Sequence, residues 1–513
     1  AGGKDRGQQP RGCPPPPLPS AMVSCTAPPA QASGAGPAAA LMFGVNFVVN
    51  ATVSIVAPIL PQYLAARELL PPGSYGGFVQ GLLFSSAPLA TLAVTPLGPL
   101  LMRRLGKPRV CGGGILIFAL GILSFGVSGS VVAWLTGESL ELRSSCPHTE
   151  LALLFLARVT ASCGGTAAML SSLSIAMDAN QENRGAVMGA SETAIGIGFS
   201  VGPSVGAAFF TAGGFPAPFA ATSVISLGLL PLLALANGGG TASMAPDAAA
   251  EVAEGGASHK GTAPKPSGSV AALAVAALAA ICLFCFGFLD PTLAPYEEKV
   301  LGTTTAGAGV LFSCAAFPYA LLGTVVGALV DRVPSSAPVM VCCGGVAMGV
   351  LFAALPAAEP FMATWAWQVV VLFLFGLSTA FTMVPIVPLM ITILNEKASA
   401  QGLAAVDDDA VLSFAWMSFT VGEFAGPLVG SYLAGLLGFP AAARAVGASV
   451  LLVSVLTGLM LAASGQHGGG AKVSPGAEPL LPAAQLLTPH GHGCPTSRAP
   501  CLVRAVSSSS VSA

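Results

Sequence analysis

Four ionisable side chains lie deep inside apolar stretches of the sequence: Arg158, Glu192, Asp290 and Glu423. On membrane-insertion scales a charged residue costs about 2.5–3.5 kcal/mol at the bilayer centre, so each of the four marks either a pathway or a buried pair. Three acids and one base leave an excess of negative charge, −2 if all are ionised, and a cavity of that sign selects cations. Desolvation penalises the charged form of a carboxylate, so protons compete with the cation for the same groups. The chemistry these residues support is reversible binding of a cation and of a proton. All five histidines (His148, His259, His467, His490, His492) fall outside the apolar stretches, so a proton relay within the membrane must run through carboxylates.

Plainer readings stand beside this one. Arg158 has Ala161, Ser162 and Gly165 on one small, polar face, and its simplest role is a buried ion pair with Glu192. Glu423 reads equally as a structural hydrogen-bonding group. Asp290-Pro291 also fits an N-cap followed by proline at the first helical position, restarting a broken helix. The clusters Asp407-Asp408-Asp409 and Glu297-Glu298 read as solvated. The run His490-Gly-His492-Gly-Cys494 reads as a low-complexity accident, so no metal site is expected. The 12 cysteines are scattered and show neither a disulfide framework nor a metal spacing.

The elements that must carry these residues are transmembrane helices. The chain has 513 residues, 54% hydrophobic and only 8% charged, too few charges to cover a soluble globule, for which about 25% is usual. Twelve stretches are long enough to span, near 38–65, 75–102, 109–135, 150–176, 185–212, 217–236, 269–295, 305–330, 337–356, 362–394, 409–437 and 441–463. They predict an all-α membrane protein of twelve transmembrane helices in two pseudo-symmetric six-helix halves, 38–236 and 269–463. Residues 1–37 and 464–513 read as disordered tails, the first not as a signal peptide, and 237–268 as a cytoplasmic linker.

The two halves declare themselves by a repeat. Gly198-Phe-Ser-Val-Gly202-Pro203-Ser-Val-Gly206 returns 224 residues later as Gly422-Glu-Phe-Ala-Gly426-Pro427-Leu-Val-Gly430. Glycines four apart clear one helix face for close backbone approach, and the proline in the same turn bends the helix. A single stripe of this kind is commonly a packing seam. Two copies at matching places point instead to the repeats of a transporter.

Lys and Arg fix the orientation. With both termini cytoplasmic, that side holds 15 of the 20 basic residues, among them Arg103, Arg104, Lys107 and Arg109. The other side holds Arg67, Arg143, Lys299 and Arg444, and Arg158 lies in the membrane. Trp365 and Trp367 open a span, as an aromatic belt would. Asn50-Ala-Thr52 has the glycosylation spacing but falls inside the first span. The net charge of −2 gives no sign of a nucleic-acid partner.

These features resemble the major facilitator superfamily. The G-x-x-x-G-P-x-x-G stretch of the fifth span is similar to its antiporter signature. Gly327-Ala-Leu-Val-Asp331-Arg332 is similar to its loop motif after the eighth span, and Arg158 to its fourth-span arginine. The first-half loop motif reads Pro99-Leu-Leu-Met-Arg103-Arg104-Leu-Gly106, with Arg103 where the family has aspartate. Within the superfamily, Pro58-Ile-Leu-Pro61, Gly189-Ala-Ser-Glu192-Thr, Cys285-Phe-Gly-Phe-Leu-Asp290-Pro-Thr-Leu293 and Gly376-Leu-Ser378 with Pro385 and Pro388 resemble the vesicular amine transporters. Monoamine and acetylcholine carriers have further aspartates where this chain has Val49, Met383 and Trp416, so the resemblance implies a polyamine-like cargo.

What the resemblance implies is a proton-coupled antiporter of an organic cation, not an enzyme, in an intracellular vesicle or vacuole membrane. It would work as a monomer in the lipid bilayer, with protons as coupling ion and no other cofactor. Asp290 and Glu192 would bind amine or proton, with Glu423 beside them. Arg158 would tune the site and the glycine stripes would permit rocking. A broad drug/proton antiporter at the plasma membrane is the nearest alternative, and a non-transporting receptor or scaffold on the same fold is the alternative of another class.

Overall fold

The computed structural model describes Gly2 and residues 35–137, 144, 146–181, 184–238, 269–356, 360–403, 406 and 408–465. Most of both tails, nearly all of the 237–268 linker, the His490–Cys494 run and Asp407 lie outside them. Among the described residues all regular structure is helical, because in lipid a helix satisfies every backbone polar group within its own segment.

The helices of the first half are α1 (Ala35–Ala66), α2 (Ser74–Val94), α3 (Gly98–Leu105), α4 (Lys107–Thr136), α5 (Pro147–Ala179), α6 (Arg184–Gly213), α7 (Pro216–Leu227) and α8 (Leu230–Gly238). The second half has α9 (Val270–Leu301), α10 (Thr305–Arg332), α11 (Ala337–Ala354), α12 (Trp365–Met383), α13 (Ile386–Ala400), α14 (Asp408–Leu437) and α15 (Phe439–Gly465). Eleven spans among the described residues are long and apolar enough to cross a membrane. The remaining expected span is α14, a 30-residue helix that carries Glu423.

Most expected spans match within a few residues. Three are two-part: a 3-10 turn at Thr95–Leu97 separates α2 from α3, and breaks also divide α7 from α8 and α12 from α13. The seventh and tenth spans, expected to stop at 295 and 394, each run six residues further, to Leu301 and Ala400. Helix α9 is capped by Gly302 in the left-handed region at φ 61°. It also passes unbroken through Pro291 and Pro295, so Asp290 is not the N-cap of a restarted helix. A proline removes one backbone bond, and neighbouring helices tolerate the loss in a membrane.

One packing scheme serves both halves. In the first, α1 packs on α6, α4 on α5 and α7, and α2 on α5; in the second, α9 packs on α14, α11 on α12 and α15, and α10 on α12. Even the aromatic clasps correspond. Tyr63 stacks on Phe215 at 3.7 Å and 14°, and Tyr296 stacks on Phe439 at 4.1 Å and 20°. The halves meet through α2 on α14, α6 on α10 and α1 on α9.

Helices α1, α6, α9 and α14 begin on one face of the bundle, here called the tail face, and end on the far face. On the far face a buried ion pair joins Arg67 to Glu150 at 2.9 Å, and Tyr63 also donates to the Glu150 carboxylate. On the tail face Lys107 pairs with Asp178. Cys146 is exposed before α5, on the far face. The expectation from the basic-residue asymmetry is that this face is the lumenal or exterior one. A variant whose one remaining cysteine is Cys146 should therefore react with an impermeant thiol reagent only from that side. Labelling from the cytoplasmic side alone would invert the orientation.

Candidate functional site

Arg158 sits within α5 and is only 7% exposed. Its guanidinium lies 5.4 Å from the Phe84 ring centroid and 6.0 Å from that of Phe125, within range of a cation–π attraction. Its Nε has no hydrogen-bond partner among the described residues. The charge that acts on it is Asp290, half-buried on α9. Asp290 in turn feels both Arg158 and Glu423, which is half-buried on α14. One base from the first half and two acids from the second thus form a single electrostatic group across the interface. Ionised together they lack one positive charge, which a proton or a cation can supply.

Glu192 is not part of that group. No ion pair joins it to Arg158, contrary to the expected pairing: Arg158 is turned toward Phe84, Phe125 and Asp290, whereas Glu192 is exposed on α6 and its charge acts on Tyr319 of α10. The neighbouring Ser191 accepts a 3.0 Å hydrogen bond from Asn46 of α1. Asn50 donates to the Asn46 carbonyl at 2.8 Å, which commits the apparent glycosylation residue to its own helix. The paired Glu297 and Glu298 also divide. Glu298 is exposed as expected, but Glu297 is completely buried in the last turns of α9. Asp331 and Arg332 close α10 with exposed side chains, as does Arg103 in α3.

The glycine stripes work inside each half. A β-carbon on Gly198 would come within 2.7 Å of the Phe47 carbonyl oxygen, one on Gly202 within 2.5 Å of the Ala51 oxygen, and one on Gly206 within 2.5 Å of Ile55, all on α1. In the second half Gly422 meets Ala280 and Leu283, Gly426 meets Phe284 and Gly287, and Gly430 meets Phe288, all on α9. Both stripes therefore clamp the fifth helix of a half to its first. The surface between halves lies one residue further round. The Pro203 carbonyl faces Gly309 of α10, and the Pro427 carbonyl faces Gly81 of α2, each placed for a weak contact with a glycine Cα–H.

Polar bonds between the halves accompany these contacts. Gln80 donates to the Pro291 carbonyl at 2.8 Å, and Ser85 to the Phe424 carbonyl at 2.6 Å. Ser204 and Ser313 share a 2.8 Å bond, and Thr305 donates to Gln62. These pairings run from mid-membrane to the far face. The far face is thus the sealed one, and Glu192 is exposed nearer the tail face.

Sequence reasoning found the three charges of the central group because each stands alone in an apolar run. It missed Phe84, Phe125 and Tyr319, whose residue types are ordinary for a membrane helix, and the Arg67–Glu150–Tyr63 cluster, whose acid lies 83 and 87 residues from its two partners. Val49 and Met383 are buried in the two cores and Trp416 is exposed against Phe419.

A family model described as Major Facilitator Superfamily matches residues 42–406. Among curated proteins, the MFS-type transporter SLC18B1 of Mus musculus is 28% identical over 313 residues, covering 60% of this chain and 64% of the relative. Its Homo sapiens counterpart is 27% identical over 312 residues, covering 60% and 65%. The chain therefore matches somewhat less than two thirds of the length of these relatives. Among solved structures, the partially occluded inward open form of the xylose transporter XylE from E. coli gives a TM-score of 0.59 at 14% identity, covering 84% of this chain and 98% of that one. A D-xylose-proton symporter gives 0.56 at 15% identity, covering 82% and 96%. At these identities the structural likeness shows the fold.

Proposed function

Because this chain belongs to the Major Facilitator Superfamily, we propose that it is a membrane transporter that exchanges an organic cation, a polyamine-like amine, for protons. The observation that carries this reading is the Arg158–Asp290–Glu423 group, two carboxylates against one guanidinium at the meeting of the halves. An ammonium group supplies the missing positive charge, and so does a proton. Each therefore displaces the other, which is the physical content of antiport.

Alternating access follows by rocking of the two six-helix halves about this mid-membrane group. Arg158 is held between two aromatic rings and fixes the local charge balance. Asp290 and Glu423 bind, and Glu192 meets the cargo from the tail-face side. The likeness to SLC18B1 and the stretch around Asp290 support an amine as cargo and a vesicle membrane as its place, with both termini in the cytoplasm. A panel of labelled amines offered to proteoliposomes containing the full chain tests this directly. With an imposed pH gradient at least one polyamine should accumulate, and collapsing the gradient with a protonophore should release it. If no amine accumulates while a neutral solute does, the proposal fails.

A further inference from the structure

Glu297 is a carboxylate for which the central site has no use. It is 0% exposed, and neither of its oxygens has a hydrogen-bond partner among the described residues. Among the described residues no ion pair reaches it. The ionisable groups toward the far face on helices packed against α9 are otherwise engaged or turned outward. Tyr63 and Arg67 are bound to Glu150, whereas Tyr75 of α2, Tyr432 of α14 and Arg444 of α15 are exposed. Lys299 and Glu298 on α9 itself are exposed too. An ionised carboxylate with no partner is expensive to bury, so in this conformation Glu297 is neutral.

Its register gives that neutral acid a place in a path. Glu297 lies seven residues after Asp290 on the same continuous helix. Seven residues are close to two full turns, which returns the side chain to the same face about 10.5 Å further along the axis. The direction is toward the far face. The segment is bracketed by two contacts between the halves, Gln80 to the Pro291 carbonyl before it and Gln62 with Thr305 after it.

We propose that Glu297 is a second proton-binding site, a relay carboxylate between Asp290 and the far-face compartment that holds its proton while the far face is sealed and exchanges it when that face opens. The inference rests on the alternating-access reading but not on the identity of the cargo. Its sign is fixed. The sealed state binds the proton and the open state releases it, so raising the pH favours opening, by up to about tenfold in the equilibrium per pH unit for one proton.

The test uses the full chain in nanodiscs, without substrate, with the 12 native cysteines replaced by serine or alanine and Thr305→Cys as its one cysteine. The new cysteine replaces a buried side chain of the far-face seal, so its labelling rate, divided at each pH by that of the exposed Cys146 in a chain with that cysteine alone to cancel thiolate formation, reports opening. Asp290→Asn is added so that titration of the central site contributes nothing, which separates failure here from failure of the proposed exchange. Labelling should rise with pH along a one-proton curve. Glu297→Gln should hold it flat at the low-pH rate, and Glu297→Asp should restore the rise. A flat curve with Glu297 intact overturns the proposal, as does an unchanged rise in Glu297→Gln. Should the glutamine variant fail to insert, the curve with Glu297 intact and the midpoint shift in Glu297→Asp decide; no slope, or no shift, sinks it.

Discussion

Asp290→Asn should abolish uptake of amine driven by a pH gradient, down to the level of empty liposomes, while the protein remains folded in the membrane. Asparagine keeps the size and most of the hydrogen-bonding ability of the side chain but cannot gain or lose a proton. Because α9 is continuous through Pro291, no helix cap is lost, and the stability change should stay near the 1 kcal/mol typical of point variants. The charge balance of the site changes far more. Arg158 then faces a single acid, Glu423, and the group is neutral when empty, so nothing draws in a cation. Asp290→Glu, which keeps the titration and moves the carboxylate by one methylene, should retain part of the uptake. Gradient-driven uptake by Asp290→Asn at the wild-type rate would falsify the role in exchange.

The second large effect belongs to the glycine seams. Gly202→Leu and Gly426→Leu should each eliminate turnover and also lower thermal stability. The first added carbon already lies within 2.5 Å of a carbonyl oxygen at either site, Ala51 in one case and Phe284 in the other. Overfilling a packed interior typically costs about 1–3 kcal/mol; with backbone in the way, the upper end is expected. Both residues act within a half, so the loss comes from prying α1 from α6 or α9 from α14. Gly189→Ala is the control, since no atom lies within 4 Å of the carbon it adds. Wild-type melting temperature and transport in both leucine variants would show that the seams do not need their glycines.

Much of this architecture was legible in the sequence, since the bilayer leaves the chain few options. Long apolar runs marked the spans, and the repeated glycine-proline stretch marked the two halves. The central charges were legible because an isolated charge in such a run is conspicuous. Their partners were not. Arg158 was matched to Glu192 as the other ionisable residue well inside the apolar stretches of the first half, but its partners come from α2, α4 and α9, and nothing local encodes which helices surround α5. The misreading of Glu297 has a different origin. Hydropathy treats a charged residue as the end of a span whether or not tertiary packing covers it. Here Glu297, Glu298 and Lys299 ended the seventh span on paper, although the helix carries all three to Leu301.

The far-face seal is made of amides, hydroxyls, carbonyls and glycine hydrogens; among the described residues no ion pair crosses from one half to the other. Neutral hydrogen bonds contribute about 0.5–1.5 kcal/mol each, net of water. A handful of them makes a latch of a few kcal/mol, the gap at which a minor conformation is still populated at about 0.1–10%. A seal built from buried ion pairs would strand charges on opening and make the second conformation too rare to visit. The plain chemistry of this interface therefore keeps both conformations within thermal reach, so that binding one small cation or proton can decide between them.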